Sequence, residues 1–207
     1  MRSVSIAVLA AVGIALTGCA TSTASYSPPS VPKIENSKVV NKPFEVVWDG
    51  LVKNLSSDFF VINNIDKNSR LINLSFTSQT PSEYVDCGVT TRVFNNVRGE
   101  QRVVYKTADG AFFNEANDIG HVFAVRRATR LEGRSNIYVA PEGDGTNVTV
   151  NTKYVVNINV SVTAPDGRPA GGDNHIVDLS TKQPYDNGSL KCAATGNIES
   201  RILDAVK

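Results

Sequence analysis

Histidine is nearly missing from this chain, with two residues, His121 and His175, in 207. That scarcity narrows the enzyme chemistries that depend on imidazole, and the linear signatures are missing as well. No GxSxG elbow, HExxH helix, GxGxxG turn, P-loop or CxxC pair occurs. A charge excess is also lacking. Lys plus Arg is 21 against 20 for Asp plus Glu, whereas binding nucleic acid by neutralising phosphates requires a basic surplus. No nucleic-acid partner is therefore expected. Asp144 and Asp173 lie in glycine-containing stretches, and Glu83 and Asp86 lie near Cys87, but no repeated carboxylate spacing accompanies them. Asp144 and Asp173 read as turn chemistry rather than calcium ligands, and Glu83 and Asp86 as ordinary loop acids rather than paired carboxylates. No cofactor or metal site and no fixed-period repeat is expected.

What is present begins with an ordered set of signals over residues 1–19, MRSVSIAVLAAVGIALTGC. Arg2 supplies a positive start. Val4 to Leu16 is an apolar run suited to a signal peptide and too short to span a bilayer. Leu16-Thr17-Gly18-Cys19 resembles the lipobox of bacterial lipoproteins, in which small residues admit the peptidase and the cysteine thiol accepts a diacylglyceryl group. The resemblance implies removal of 1–18, lipidation of Cys19 and palmitate-type acylation. Two or more acyl chains anchor stably where one does not. Ala20, rather than Asp, follows the cysteine. By resemblance to enterobacterial lipoproteins this implies the outer membrane, periplasmic face, with the inner membrane as the alternative.

Residues 19–37 read as the lipidated N-terminus and a flexible tether. Thr21 to Pro32, TSTASYSPPSVP, is small, polar and proline-containing. In extended form it would reach about 35–40 Å at ~3.1 Å per residue. Cys87 and Cys192 remain after Cys19 is used. An even pair in an oxidising compartment predicts a disulfide, outweighing a metal site or reactive thiol.

Residues 38–207 are expected to form one α+β domain. Phe44, Val47, Trp48, Leu51, Val52 and Leu55 recur at helical spacing, predicting an amphipathic helix over 43–57. Asn41 is its expected cap, and Gly50 is expected to mark close packing. Phe59–Ile65 and Arg70–Phe76 read as strands around a turn at 66–69. Strands follow at 85–94, 102–107, 121–131 and 136–140. Thr146–Thr163 alternates over its whole length, with Val148, Val150, Tyr154, Val156, Ile158, Val160 and Val162 on one face. A strand that long is expected to bend or bulge. Ala164–Asn174 reads as a loop, 176–179 as a short strand, and 195–206 as a closing helix with Ile198 and Ile202 inward.

An early helix, an antiparallel sheet and a closing helix packed on it resemble the helix-grip arrangement. Asn41-Lys-Pro-Phe-Glu-Val-Val-Trp-Asp, continuing to Ser69-Arg-Leu-Ile, is similar to the opening of helix-grip lipoproteins related to BamC, an accessory lipoprotein of the β-barrel assembly machine. The similarity covers about 35 residues. It implies a non-catalytic accessory or scaffold of a cell-envelope assembly with envelope protein partners. The alternative is a binding module holding a lipid or other apolar or anionic ligand between sheet and closing helix. A cell-wall hydrolase would require a cleft gathering His121 or His175 with a carboxylate. Arg126, Arg127, Arg130 and Arg134, with Arg92, Arg98 and Arg102 upstream, form a candidate patch for an anionic partner. Interspersed acids equally allow a solvated strand face.

Overall fold

The computed structural model describes residues 19–206; the signal peptide expected over 1–18 lies outside the described residues. Strand alternation governs most of the chain. In order the elements are β1 (Thr21–Ser27), β2 (Ser37–Val40), α1 (Phe44–Ser56), β3 (Val61–Asp66), β4 (Leu71–Ser78), a 3-10 turn (Pro81–Glu83) and β5 (Val85–Asp86). Then come β6 (Val89–Asn96), β7 (Gly99–Lys106), β8 (Ala111–Ala116), β9 (Val122–Glu142) and β10 (Gly145–Thr163). The chain closes with β11 (Pro169–Ser180), β12 (Tyr185–Asp186), β13 (Lys191–Ala194) and α2 (Asn197–Asp204). This is an α+β fold of antiparallel sheets with one helix near the N-terminal region and one at the C-terminus. Among the described residues, no helix is long and apolar enough to cross a membrane.

The β9–β10 hairpin is the spine. It pairs in unbroken register from Glu142 opposite Gly145 to Ala124 opposite Thr163. The half near the turn takes β2 on the β10 side and β4, followed by β3, on the β9 side. The distal half takes β11 and β8 instead. Successive neighbours along each edge thus use the full length of the strands. The expected bulge does not interrupt the hairpin; the shift along β10 lies at Val162/Thr163, against β11. A second sheet, β1-β6-β7, and a small third one, β12-β13-β5, complete the frame.

The alternating face of β10 is buried from Thr146 through Ile158. Over its near half lie α1, through Val47, Trp48, Leu51 and Leu55, and α2, through Ile198 and Ile202. Each such aliphatic side chain contributes about 1.5–3 kcal/mol on burial. Asn54 Nδ2 donates to Ala205 O (2.7 Å), tying the helices together. Lys38 Nζ donates to Leu203 O and Val206 O (both 3.2 Å), placing a cation at the C-terminal end of α2.

Several sequence expectations are corrected. In place of the flexible tether, residues 21–27 form β1, paired over seven residues with β6. Tyr26 locks it further: its hydroxyl donates to Lys191 O (3.1 Å) and accepts from Lys191 N (3.0 Å). Downstream, Asn36 O accepts from Val150 N at 2.8 Å, and Ile34 packs on the core. Threonine, serine and tyrosine pair readily once a partner edge exists. The loop expected over 164–174 is strand from Pro169 onward, and β8 was not foreseen. Helix α1 is capped by the Pro43 carbonyl, which accepts from Val46 N and Val47 N, and not by Asn41. Gly50 faces open space rather than a close neighbour.

The two strands expected at 121–131 and 136–140 are one. The intervening Glu-Gly-Arg-Ser has poor strand propensity, but Gly133 sits directly opposite Phe76, and the ring occupies the space a side chain would fill. A Cβ at Gly133 would stand 2.1 Å from Phe76 Cζ. Phe76 has little room to retreat, because the rings of Phe60, Tyr84 and Tyr154 surround it at 5.4–6.3 Å between centroids. Gly133→Ala is therefore expected to cost about 1–3 kcal/mol by overpacking, read as a lowered melting temperature. An unchanged melt would show that the ring has another place to go.

Candidate functional site

The buried face of β10 outruns its helical cover. Past Val156, the inward residues Ile158, Val160 and Val162 face a cavity of about 330 Å³. Val177 of β11 and Val125 of β9 continue this apolar wall. Facing the wall are Arg92 of β6 and Tyr105 of β7, while Phe113 and Glu115 come from β8. The segment around β12 adds Tyr185, Asn187 and Leu190. The site thus lies where the second sheet meets the distal half of the main one. It is not between the sheet and the closing helix, where the alternative reading of the sequence puts a ligand. There α2 lies directly on β10, with Ile198 and Ile202 filling the interface.

Two guanidinium groups give the cavity its charge. Arg92 lies 4.8 Å from the centroid of the Phe113 ring, and its Nη1 donates to Glu115 Oε1 at 3.1 Å. Its Nε is buried and has no hydrogen-bond partner among the described residues. Arg127 donates to the backbone carbonyl of Asp109. Burial holds the Arg127 guanidinium below its ordinary value, yet arginine stays cationic in proteins. Tyr105 and Phe113 stack at 6.1 Å with 14° between planes. The chamber therefore offers an aliphatic wall, an aromatic pair and two arginines, chemically complementary to an apolar body with an anionic group.

The arginines expected as one patch divide. Arg126, Arg130 and Arg134 project from the outer face of β9, while Arg127 points inward to the cavity. A strand turns successive residues to opposite faces, so four arginines in this run do not act together. Of those upstream, Arg92 joins Arg127; Arg98 lies in the β6–β7 turn, and Arg102, opposite Val93, turns to the other face of the hairpin from Arg92.

The histidines are separated. His121 is exposed at the start of β9, its backbone N–H donating to Asn117 Oδ1. His175 lines the cavity, with Nε2 3.0 Å from Asp173 Oδ2. Ser189 and Glu115 also line it, but Ser189 Oγ donates to Asn187 Oδ1 and Glu115 is engaged by Arg92. Among the described residues, no hydrogen bond couples His175 to a nucleophile, as acid–base catalysis would require. No group of three metal-ligating side chains is found among the described residues. Cys87 and Cys192 are joined in a disulfide, and Cys19 is free and exposed, two residues before β1.

Phe113, Glu115 and Tyr105 were not singled out from the sequence. Tyr105 lies in the strand expected over 102–107, where nothing marks it as facing a cavity, and the alternation Phe113-Asn-Glu115 is too short to separate from a loop. Comparison with known families, curated proteins and solved structures finds no match for this chain.

Proposed function

We propose that this protein is a lipid-anchored lipoprotein of the outer membrane, facing the periplasm. Its helix-grip-like domain is a non-catalytic binding module for an anionic amphiphile, such as a fatty acid or single-chain phospholipid. The anchor rests on the order Arg2, apolar run, Leu-Thr-Gly-Cys19, and the oxidising compartment agrees with the Cys87–Cys192 disulfide. The helix-grip description rests on α1 and α2 covering an antiparallel sheet. The observation that carries the binding role is that two guanidinium groups, Arg92 and Arg127, line the same cavity as a continuous aliphatic wall.

Native mass spectrometry of protein extracted from membranes, followed by titration with palmitate and lysophosphatidate, tests the reading. A bound anionic chain is expected, and Arg92→Ala should weaken binding at least about tenfold, the value of one charge-assisted hydrogen bond. An empty domain indifferent to both ligands would exclude this role.

A second reading, an accessory or scaffold of an envelope assembly, is favoured by β11. This edge strand is exposed from Pro169 to Ile176, leaving backbone donors and acceptors for another strand. Cross-linking in living cells, with Cys19→Ser as the unanchored control, would reveal a partner set that depends on anchorage.

A further inference from the structure

The start of β1 fixes where Cys19 sits. Thr21 lies opposite Asn95, at the end of β6 that enters the turn Asn96-Val97-Arg98-Gly99. Ala116 N donates to Ser22 Oγ at 2.8 Å, joining β1 to the end of β8. Cys19 itself lies against the β8–β9 turn; a Cβ at Gly120 would stand 3.5 Å from Cys19 Cβ. The cysteine therefore emerges between two turn tips, one carrying Val97 and the other Ile119. These are the most exposed large apolar side chains among the described residues, at 80% and 71%. Arg98, beside Val97, forms no ion pair among the described residues. From the opposite edge of the hairpin, the β10–β11 turn reaches the same end, because Thr163 lies opposite Ala124 near the start of β9.

We propose that this end of the molecule is a bilayer-docking face, with Val97 and Ile119 entering the lipid interface on either side of the acylated Cys19. The inference rests on the lipid-anchor reading above. One residue, Ala20, separates the cysteine from Thr21, and even fully extended the two peptide units between them span only about 7 Å. A diacylglyceryl group on Cys19 Sγ thus leaves the domain no slack to stand clear of the headgroups. Chains inserted at this point press both apolar tips toward the acyl boundary, where exposed apolar groups are stabilised and a neighbouring arginine meets phosphate. The domain is held upright, with the long axis of β9–β10 leading away from the membrane. The arginine-lined cavity lies in the membrane-proximal half.

Tryptophan fluorescence of the full chain tests this. The protein is produced with its leader and reconstituted into phosphatidylethanolamine–phosphatidylglycerol vesicles with brominated acyl chains. The native Trp48 is the sole tryptophan and is buried in the core at 4% exposure, so it gives a constant background. Val97→Trp and Ile119→Trp are expected to shift to the blue and lose the greater part of the added emission to bromine. Asp144→Trp, in the β9–β10 turn at the other end, should lose none. Intact mass of the N-terminal peptide reports acylation of Cys19 in the same sample. Acylated protein whose Val97→Trp and Ile119→Trp signals are unquenched, or whose Asp144→Trp signal is quenched equally, would overturn the docking face and leave the anchor standing. An unacylated Cys19 would overturn both.

Discussion

Replacing Cys87 and Cys192 together by alanine is expected to lower the unfolding free energy by about 3–5 kcal/mol. The bond joins residues 105 apart. Freeing so long a loop returns much conformational entropy to the unfolded chain. Little else secures the same junction. β5 and β13 share two residue pairs, Asp86 with Ala193 and Val85 with Ala194. The remaining ties are Thr195 N to Tyr84 O at 3.0 Å, and Thr195 Oγ1 and Asn197 Nδ2 to Glu83 O. Helix α2 begins five residues after Cys192, and its Ile198 and Ile202 are fully buried. Loss of the bond should therefore weaken the seating of α2 as well as the bridge itself. Urea unfolding with and without reductant checks it: the midpoint should fall in the double variant and in the reduced parent alike. A midpoint unmoved by either treatment would mean that the C-terminal segment is held by packing alone.

Glu199→Ala is expected to cost about 2–4 kcal/mol, from an unsatisfied buried donor and a cavity. Glu199 is 0% exposed. Its carboxylate accepts from the Tyr154 hydroxyl (3.0 Å to each oxygen) and from Thr181 Oγ1 (2.6 Å). Burial, followed by the Glu199 charge, pushes the Tyr154 hydroxyl far above its ordinary range, so it remains a donor throughout the accessible pH range. Thr181 in turn accepts from Thr152 N at 2.7 Å, and the hydroxyls of Thr152 and Ser135 are hydrogen-bonded at 2.9 Å. Truncation strands the buried Tyr154 hydroxyl, takes away the better acceptor of the half-buried Thr181 hydroxyl at the junction of α2, β10 and the end of β11, and leaves a cavity. Glu199→Gln keeps the volume and an acceptor, so it should cost less than half as much. Equal losses in the two variants would show that charge, rather than hydrogen-bonding capacity, is what the core requires; negligible loss in both would show that the network is dispensable.

The elements visible in the sequence share one property: each buries a face whose period is written in its own residues. α1 was expected over 43–57 and spans 44–56, because Val47, Trp48, Leu51 and Leu55 repeat at helical spacing. β10 was expected over 146–163 and spans 145–163, because its alternation is nearly unbroken. Thr152, the exception in that stripe, is itself buried, serving the hydroxyl network around Glu199. Even the division of the arginines follows from alternation, since Arg127 is out of phase with Arg126, Arg130 and Arg134. The candidate site was less legible. It draws on six strands and the segment around β12, and its distinguishing feature, two arginines set against an aliphatic wall, belongs to no local pattern.

The sequence by itself determined the α+β class, the helix near the N-terminal region, the inward face of the longest strand, the closing stripe of Ile198 and Ile202, and the cysteine pair. Periodicity and compartment chemistry act on residues near in the chain or few in number. Only the tertiary structure decided that TSTASYS is a strand and not a tether, that β11 extends through a stretch of proline, glycine and aspartate, and that Glu199 lies in the core. Strand pairing uses backbone groups that nearly every residue carries, so an edge strand needs a partner more than a pattern. A buried carboxylate is tolerable only where donors from distant segments converge on it, and that convergence exists once the chain has folded.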